Sequence, residues 1–282
     1  VSEARNIGLS KANGHYVYFV DSDDRITNNC LFELYNDIQE TKCDVAVCNY
    51  DIENQNIILN HENRIFVFDD RIRLSKEKKI SIQSSDIFKK PESSQGNFLT
   101  RFAPMGHFLF QRNIIEDNKI RFTYGSKFGE DTEFFTKVIF HSQFITFDKE
   151  VLSHCVQNNL SVTRRKNYSD SELLNLVFQY VGTFFRLKKY LYNHKAPNIF
   201  VNYISDTIIP ETIINIFKRL IIEGYPKDKL VYILKNKEIK KAIHKYKVSF
   251  KNKINTKRSI KIIIFRLLIK IFYLIFVRGS KR

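Results

Sequence analysis

Alternation of hydrophobic and polar positions predicts a helix, a strand and a second helix in the first 44 residues. Small and apolar residues recur at helical spacing between Ser2, which we expect to cap the first helix, and Gly14, which suits the left-handed position after it. Residues 16–20 are β-branched and aromatic, as is typical of a buried strand. Residues 31–44 predict an amphipathic helix. Its expected apolar face consists of Leu31, Leu34, Tyr35 and Ile38.

The alternation of elements continues further along the chain. Strands are predicted over residues 44–52 and 145–152, and a helix is predicted to begin at Glu130. Residues 53–98 are polar and irregular, so they favour a variable hairpin or loop region. Alternating strands and helices indicate an α/β domain. We predict this domain over residues 1–165.

An α-helical C-terminal region is predicted after the α/β domain. Ser169 and Glu172 form a capping-box pattern in front of a long apolar-rich helix. Further helices are predicted over residues 210–224 and from Pro226 onward. Residues 166–250 are therefore interpreted as a helical extension.

The positive charge of the chain is concentrated in its C-terminal third. The net charge is +16 over 282 residues. Residues 1–180 contain 22 Lys and Arg against 25 Asp and Glu, whereas residues 181–282 contain 24 against 5. The basic character therefore belongs to the helical region and not to the predicted α/β domain.

Residues 251–282 combine basic residues with many Ile, Leu and Phe residues. Lys261, Arg266 and Lys270 interrupt the apolar run, and charges at mid-span are costly for a spanning helix. We expect a basic amphipathic helix on an anionic membrane surface. A terminal helix packed on its own domain or on a partner is the alternative. Nucleic acid is not an expected partner, because no DNA- or RNA-binding motif accompanies the basic residues.

Three carboxylates directly follow the predicted strand at residues 16–20. Between Asp21 and the pair Asp23-Asp24 stands only Ser22. Like charges this close repel one another unless a cation or hydrogen-bond donors lie beside them. Mg²⁺ and Mn²⁺ prefer carboxylate oxygens and usually hold phosphorylated substrates through one or two carboxylates. The stretch therefore suits either a metal–phosphate site beyond a strand end or an ordinary acidic turn.

The order of helix, glycine, strand and acidic cluster resembles the family 2 glycosyltransferases of the GT-A fold. The matching residues are Ser2, Ala4, Arg5, Asn6, Gly8, Leu9, Ala12, Gly14 and Asp21 to Asp24. The resemblance implies a nucleoside-diphosphate sugar as donor, and Mn²⁺ or Mg²⁺ as cofactor. The residues that it implies for donor binding are Arg5, Asp21, Ser22, Asp23 and Asp24. Of these, Asp23 and Asp21 are the implied metal ligands.

A second acidic motif, Glu130-Asp131, stands at the start of a predicted helix. The helix dipole favours carboxylates in a first turn, so a purely structural role is one interpretation. The motif also resembles the Glu-Asp pair of the same family. That resemblance implies that Asp131 is the general base for the acceptor hydroxyl and that Glu130 helps to position the acceptor. His154 is by resemblance a candidate third metal ligand, or else a hydrogen-bonded structural residue.

The resemblance covers about residues 1–165 and implies an incomplete, Rossmann-like GT-A domain, because the family has an earlier segment that grips the nucleotide base. This missing N-terminal segment would be a partner. We expect an inverting glycosyltransferase of bacterial surface polysaccharide synthesis, using a glycan or lipid-linked acceptor. The four cysteines form no CxxC pair, which indicates reduced thiols in a cytoplasmic protein, here peripheral on the inner face of the cell membrane. The alternatives are an inactive or complementing fragment, and a basic membrane-binding helical protein without catalysis.

Overall fold

The computed structural model describes residues 1–54, 57–59, 72, 74–89, 92–93, 96–97, 105–156, 169–222, 224–237 and 239. The chain divides into two compact units, Val1–Asn167 and Tyr168–Arg282. The expected membrane-associating helix over residues 251–282 lies outside the described residues. Among the helices that are described, none has the length and hydropathy needed to cross a membrane.

The first unit alternates strands and helices, as predicted. Its first half contains α1 (Ser2–Lys11), β1 (Tyr16–Tyr18), β2 (Arg25–Ile26), α2 (Cys30–Thr41), β3 (Val45–Asn54) and β4 (Ile57–Leu59). Its middle contains β5 (Lys79–Gln83), α3 (Ser84–Lys89), β6 (Glu92–Ser93) and β7 (Gly96–Asn97). Its last part contains β8 (Phe108–Gln111), α4 (Arg112–Asp117), α5 (Glu130–His141) and β9 (Phe144–Val156).

One mixed seven-stranded sheet forms the centre of the first unit. Its strand order is β1-β8-β3-β9-β2, with β4 paired to β3 and β5 paired to β9. The central strands β3 and β9 are parallel, whereas β8 is antiparallel to both β1 and β3. This arrangement confirms the predicted α/β fold. It also places the end of β9 beside β2, the strand that directly follows the acidic cluster in the sequence.

The sheet is covered by helices on both faces, which explains its apolar central strands. Helix α2 packs on one face, where Leu34 and Ile38 contact a cluster containing Leu109. The neighbouring residues of β8 point the opposite way. There the Phe108 ring lies 4.1 Å from the Phe135 ring of α5.

The two ends of α1 differ from the sequence prediction. Val1 occupies the N-cap position, and the Ser2 hydroxyl instead donates a hydrogen bond to the carbonyl oxygen of Ser126. Ala12 follows the helix in an extended conformation, and its N–H donates to the carbonyls of Gly8 and Leu9. Because Ala12 already satisfies these carbonyls, Gly14 is not the helix cap, and its φ is not positive.

Two further sequence predictions need correction. Leu31 and Tyr35 are exposed, because the buried face of α2 is rotated toward Cys30 and Leu34. The region of residues 53–98, for which the sequence favours a variable hairpin or loop, does contain the antiparallel pairs β3–β4 and β6–β7, but it also contributes β5 and α3. Strand β5 lies at an edge of the sheet and pairs antiparallel with β9. Its alternation of apolar and polar residues is weak, and the neighbouring lysines obscure it.

The second unit is helical, as predicted. Helix α6 (Asp170–Asn193) begins with the capping box formed by Ser169 and Glu172. Helix α7 (Asn198–Tyr203) continues through a π-helical turn (Ile204–Ile208) into α8 (Ile209–Ile222), and α9 (Lys227–Lys235) follows. The π-helical turn precedes Pro210, which has no N–H to give to an ordinary helical hydrogen bond.

Candidate functional site

One arginine joins the two acidic motifs, which are far apart in the sequence. Arg5 Nη2 donates to Asp21 Oδ1 at 2.7 Å, and Arg5 Nη1 lies 3.5 Å from Glu130 Oε1. The Arg5 and Glu130 side chains are each 12% exposed, so water screens their pair weakly, whereas the Asp21 side chain is 39% exposed. The structure therefore places the Asp21–Asp24 cluster and the Glu130-Asp131 pair at one site.

The acidic cluster forms a tight turn just beyond the carboxyl end of β1. The N–H of Asp24 donates to the carbonyl oxygen of Asp21 at 3.0 Å, which closes the turn. The Tyr18 hydroxyl donates to the carbonyl of Gly106 and fixes the end of the strand. Within the turn, Ser22 and Asp23 are exposed, whereas Asp21 and Asp24 are partly buried.

The second acidic pair occupies the first turn of α5. Gly129 is the N-cap with φ 72°, a left-handed conformation that favours glycine. Asp131 Oδ1 accepts a hydrogen bond from the Thr132 N–H at 2.7 Å. Both carboxylates are partly buried and lie where the helix dipole favours negative charge.

Burial raises the pKa of Asp131, while the Thr132 N–H and the Arg5 guanidinium oppose that rise. Burial also raises the pKa of Glu130, and the neighbouring Asp131 carboxylate adds to the effect. A raised pKa makes the ionised carboxylate a stronger base. The pair is therefore chemically suited to proton abstraction.

A small aromatic cluster underlies the site and connects its parts. The rings of Phe122 and Phe134 stack at 4.1 Å, and Phe19 meets them edge-on at 5.3 and 5.6 Å. The Arg5 guanidinium lies 5.3 Å from the centre of the Phe122 ring. The cluster thus joins the end of β1, the segment before α5 and α5 itself.

Cys155, rather than His154, contacts the acidic cluster. Its thiol interacts electrostatically with the Asp24 carboxylate, which accepts the Val156 N–H at 3.0 Å. Adjacent residues of a strand point to opposite faces, so His154 points away from Cys155. Burial, with Asp21 and Asp23 adding, raises the pKa of Asp24 to about 6. Burial and the nearby carboxylates raise the pKa of Cys155 to about 12.

Helix α1 supplies two further site residues, Asn6, to which the sequence analysis gave no separate role, and Ser2, which it expected only to cap the helix. Asn6 Nδ2 donates to the carbonyl of Phe122 at 2.8 Å, and the Phe122 N–H donates to Asn6 Oδ1 at 2.9 Å. The Ser2 hydroxyl donates a hydrogen bond to the carbonyl oxygen of Ser126, which lies four residues after Phe122. Positions 2, 5 and 6 share one face of a helix. This spacing is the signal in the sequence that the three side chains could contact the same part of the fold.

The carboxylates of the turn differ in their freedom to take a metal ion. Asp21 is ion-paired with Arg5 and Asp24 is hydrogen-bonded to Val156, but Asp23 makes no hydrogen bond or ion pair with another described residue. In the part of the chain that is described, no three His, Cys, Asp or Glu side chains form a group that could hold a metal ion.

Comparison with known proteins finds that the chain is similar to glycosyltransferases. Residues 1–118 match the family model described as Glycosyl transferase family 2. The poly(ribitol-phosphate) beta-N-acetylglucosaminyltransferase TarP of Staphylococcus aureus is 24% identical over 173 residues, which are 60% of this chain and 46% of TarP. Glycosyltransferase GlyG of Streptococcus pneumoniae is 43% identical over 49 residues, 17% of this chain and 16% of GlyG. The chain spans less than half the length of these curated relatives.

Solved structures show the same fold. The crystal structure of S. aureus TarS 1-349 in complex with UDP-GlcNAc has a TM-score of 0.59 at 15% identity, covering 99% of this chain and 72% of that chain. The TarS 1-349 complex with UDP has a TM-score of 0.51 at 14% identity, covering 99% of this chain and 71% of that chain. The GT-A-like fold expected from the sequence is thereby confirmed.

Proposed function

From the glycosyl transferase family 2 domain that this chain carries, we propose that it transfers a sugar from a nucleoside-diphosphate sugar to a surface glycan or a lipid-linked acceptor. The observation that carries the proposal is the Arg5 bridge. It holds the Asp21 turn and the Glu130-Asp131 pair at one site, so a donor-binding group and a base can act on the same substrates. The acidic motifs are then parts of one active site rather than a turn and a helix start.

In this mechanism Asp131 is the general base. Its carboxylate takes the proton of the acceptor hydroxyl as that oxygen attacks the anomeric carbon. The new carbon–oxygen bond forms while the bond from the anomeric carbon to the diphosphate breaks, so the nucleoside diphosphate leaves with the bonding electrons. Attack opposite the leaving group inverts the anomeric configuration. Glu130 lies beside the base and helps to position the acceptor.

The Asp21–Asp24 turn binds the donor, with Ser22 and Arg5 nearby. Asp23, which is exposed, and Asp21 would hold Mn²⁺ or Mg²⁺ together with the donor diphosphate, and Asp24 shapes the turn. When bound, the cation supplies Lewis-acid stabilisation of the charge on the departing diphosphate. Strand alternation disfavours His154 as a further ligand, because Cys155 occupies the side facing the turn.

The solved and curated relatives suggest which substrates to test first. TarS has been crystallised with UDP-GlcNAc, and TarP is a poly(ribitol-phosphate) beta-N-acetylglucosaminyltransferase. UDP-GlcNAc is therefore the first donor for this chain, and a phosphate-linked surface polymer is the first acceptor. The basic composition of residues 251–282 supports a cytoplasmic enzyme that is peripheral on the inner face of the cell membrane.

The test is Mn²⁺-dependent binding and turnover of UDP-GlcNAc by the 282-residue chain, with other UDP-sugars as a panel. We expect calorimetry to detect UDP-GlcNAc binding that a chelator abolishes. Asp23→Asn should weaken the affinity roughly tenfold or more, because it removes a metal ligand. The matched control is Asp228→Asn, an exposed aspartate of α9. Binding without turnover would favour an inactive or complementing fragment. If no sugar nucleotide binds or turns over with Mn²⁺, the enzyme proposal fails.

A further inference from the structure

A two-way hydrogen bond joins helix α1 to the segment that leads into α5. The Asn6 carboxamide donates to the carbonyl of Phe122 and accepts from its N–H, at 2.8 and 2.9 Å. We propose that Asn6 is a positioning residue that sets the place of Asp131 relative to the Asp21–Asp24 turn. This inference rests on the proposed function, because it concerns the geometry of that reaction.

The residue type at position 6 suits this contact. A side-chain amide presents one donor and one acceptor in a single plane, as a backbone peptide group does. At Asn6 this pattern satisfies both polar backbone groups of one residue, 116 positions further along the chain. An aspartate would keep only the acceptor, and an alanine would leave both partly buried groups of Phe122 without this partner.

The position of Phe122 is passed on to the base through packing. The Phe122 ring stacks on Phe134 of α5 with the planes 1° apart, and Phe134 is one helical turn after Asp131. Next to Phe122, the Thr123 hydroxyl donates to Glu133 Oε1 at 2.9 Å, which gives a second link to the same helix. A displaced Phe122 would therefore displace the first turn of α5.

Helix α1 is at the same time tied to the donor side of the site. Arg5, the neighbour of Asn6, holds Asp21, and the Arg5 guanidinium lies over the Phe122 ring. The distance between the Asp21–Asp24 turn and Asp131 therefore depends on the position of α1 relative to Phe122. A misplacement of about 1 Å between reacting groups costs on the order of a hundredfold in rate.

The experiment compares Asn6→Ala with Asn118→Ala in the full chain, using UDP-GlcNAc and Mn²⁺ well below the melting temperature. Asn118 is a matched control, because its carboxamide is also partly buried and donates to a carbonyl, that of Ile114, at 2.9 Å. We expect kcat to fall roughly 10- to 100-fold in Asn6→Ala with the donor KM changed less than about twofold. Asn118→Ala should keep the wild-type kcat.

The split between kcat and KM separates positioning from general destabilisation. A kcat within about twofold of the wild type, or a donor KM that rises as much as kcat falls, would overturn the inference. If Asn6→Ala does not fold, Asn6→Asp serves instead, since it keeps the acceptor for the Phe122 N–H, and the same outcomes apply. A wild-type chain without any transfer sinks the proposed function and this inference together, whereas an active wild type with active variants sinks the inference alone.

Discussion

Arg5 Nη2 lies 2.7 Å from Asp21 Oδ1 and joins α1 to the turn that follows β1. The carboxylate is 39% exposed, so the pair adds little to the free energy of folding by itself. Its effect is electrostatic and local. The same guanidinium opposes the rise in the pKa of Asp131.

We predict that Arg5→Gln shifts the acid limb of the pH profile of kcat/KM to higher pH. Burial raises the pKa of Asp131, and without the guanidinium that pKa rises further. A general base acts only in its ionised form, so activity is lost at a higher pH as the solution is acidified. The measurement is kcat/KM from acid to alkaline pH.

The control for this profile is Arg121→Gln. Arg121 pairs with Glu116 at 2.6 Å and takes no part in the site, so its loss should leave the limb in place. If the acid limb of the kcat/KM profile does not move in Arg5→Gln, the electrostatic link between Arg5 and Asp131 is contradicted.

Asp131→Asn should reduce kcat by about a thousandfold, because the asparagine cannot take the acceptor proton. Its amide oxygen can still accept the Thr132 N–H, so the helix start and the binding of the UDP-sugar should be retained. Steady-state kinetics and calorimetry of donor binding check the two halves of this expectation. Asp117→Asn, an exposed change at the end of α4, is the control. Nearly unchanged kcat in Asp131→Asn would leave the residue as a helix-start carboxylate only.

Lys79→Met should lower the free energy of unfolding by about 3 kcal/mol, since it leaves a buried carboxylate unpaired. Lys79 Nζ lies 2.6 Å from Asp37 Oδ1, and the Asp37 side chain is 0% exposed. Urea unfolding at neutral pH measures the loss. Lys78→Met, which removes the exposed partner of Glu150, should cost less than about 1 kcal/mol. Equal losses in the two variants would contradict the difference in burial.

The cost of Lys79→Met should shrink as the pH falls. Burial raises the pKa of Asp37, and Lys79 opposes that rise. The folded state of the variant therefore holds the Asp37 proton more tightly than the unfolded state does. The penalty is fully present above the folded pKa, and it is lost as the pH falls through that pKa toward the unfolded value.

Residues 251–282 should confer binding to anionic vesicles. We expect the full chain to float with phosphatidylglycerol liposomes and the chain lacking residues 251–282 to stay behind, because the basic side chains are attracted to the anionic headgroups. Binding should weaken at high salt. Equal flotation of both forms would rule out a membrane role for these residues and favour packing on the protein.

The sequence predicted the fold through local signals and missed contacts that depend on distant partners. The strand before Asp21 and the helix at Glu130 follow from periodicity, and both are found, although the strand ends at Tyr18 and Val20 is exposed. No periodicity could show that Ser2 holds Ser126 or that Asn6 holds Phe122. Strand β5 was missed because an edge strand needs only modest alternation. The position of Cys155 beside Asp24 depends on how β9 lies against β2.

The contacts of α1 with both acidic motifs have a consequence for which parts of related chains can be exchanged. A helix that holds the Asp21 turn and the Phe122 backbone with adjacent residues makes two distant stretches of sequence depend on one another structurally. A chimaera that takes residues 1–24 from one homologue and residues 118–131 from another combines halves that were not selected together. Exchanging both stretches at once keeps the matched pair, so functional chimaeras should be found among those constructions.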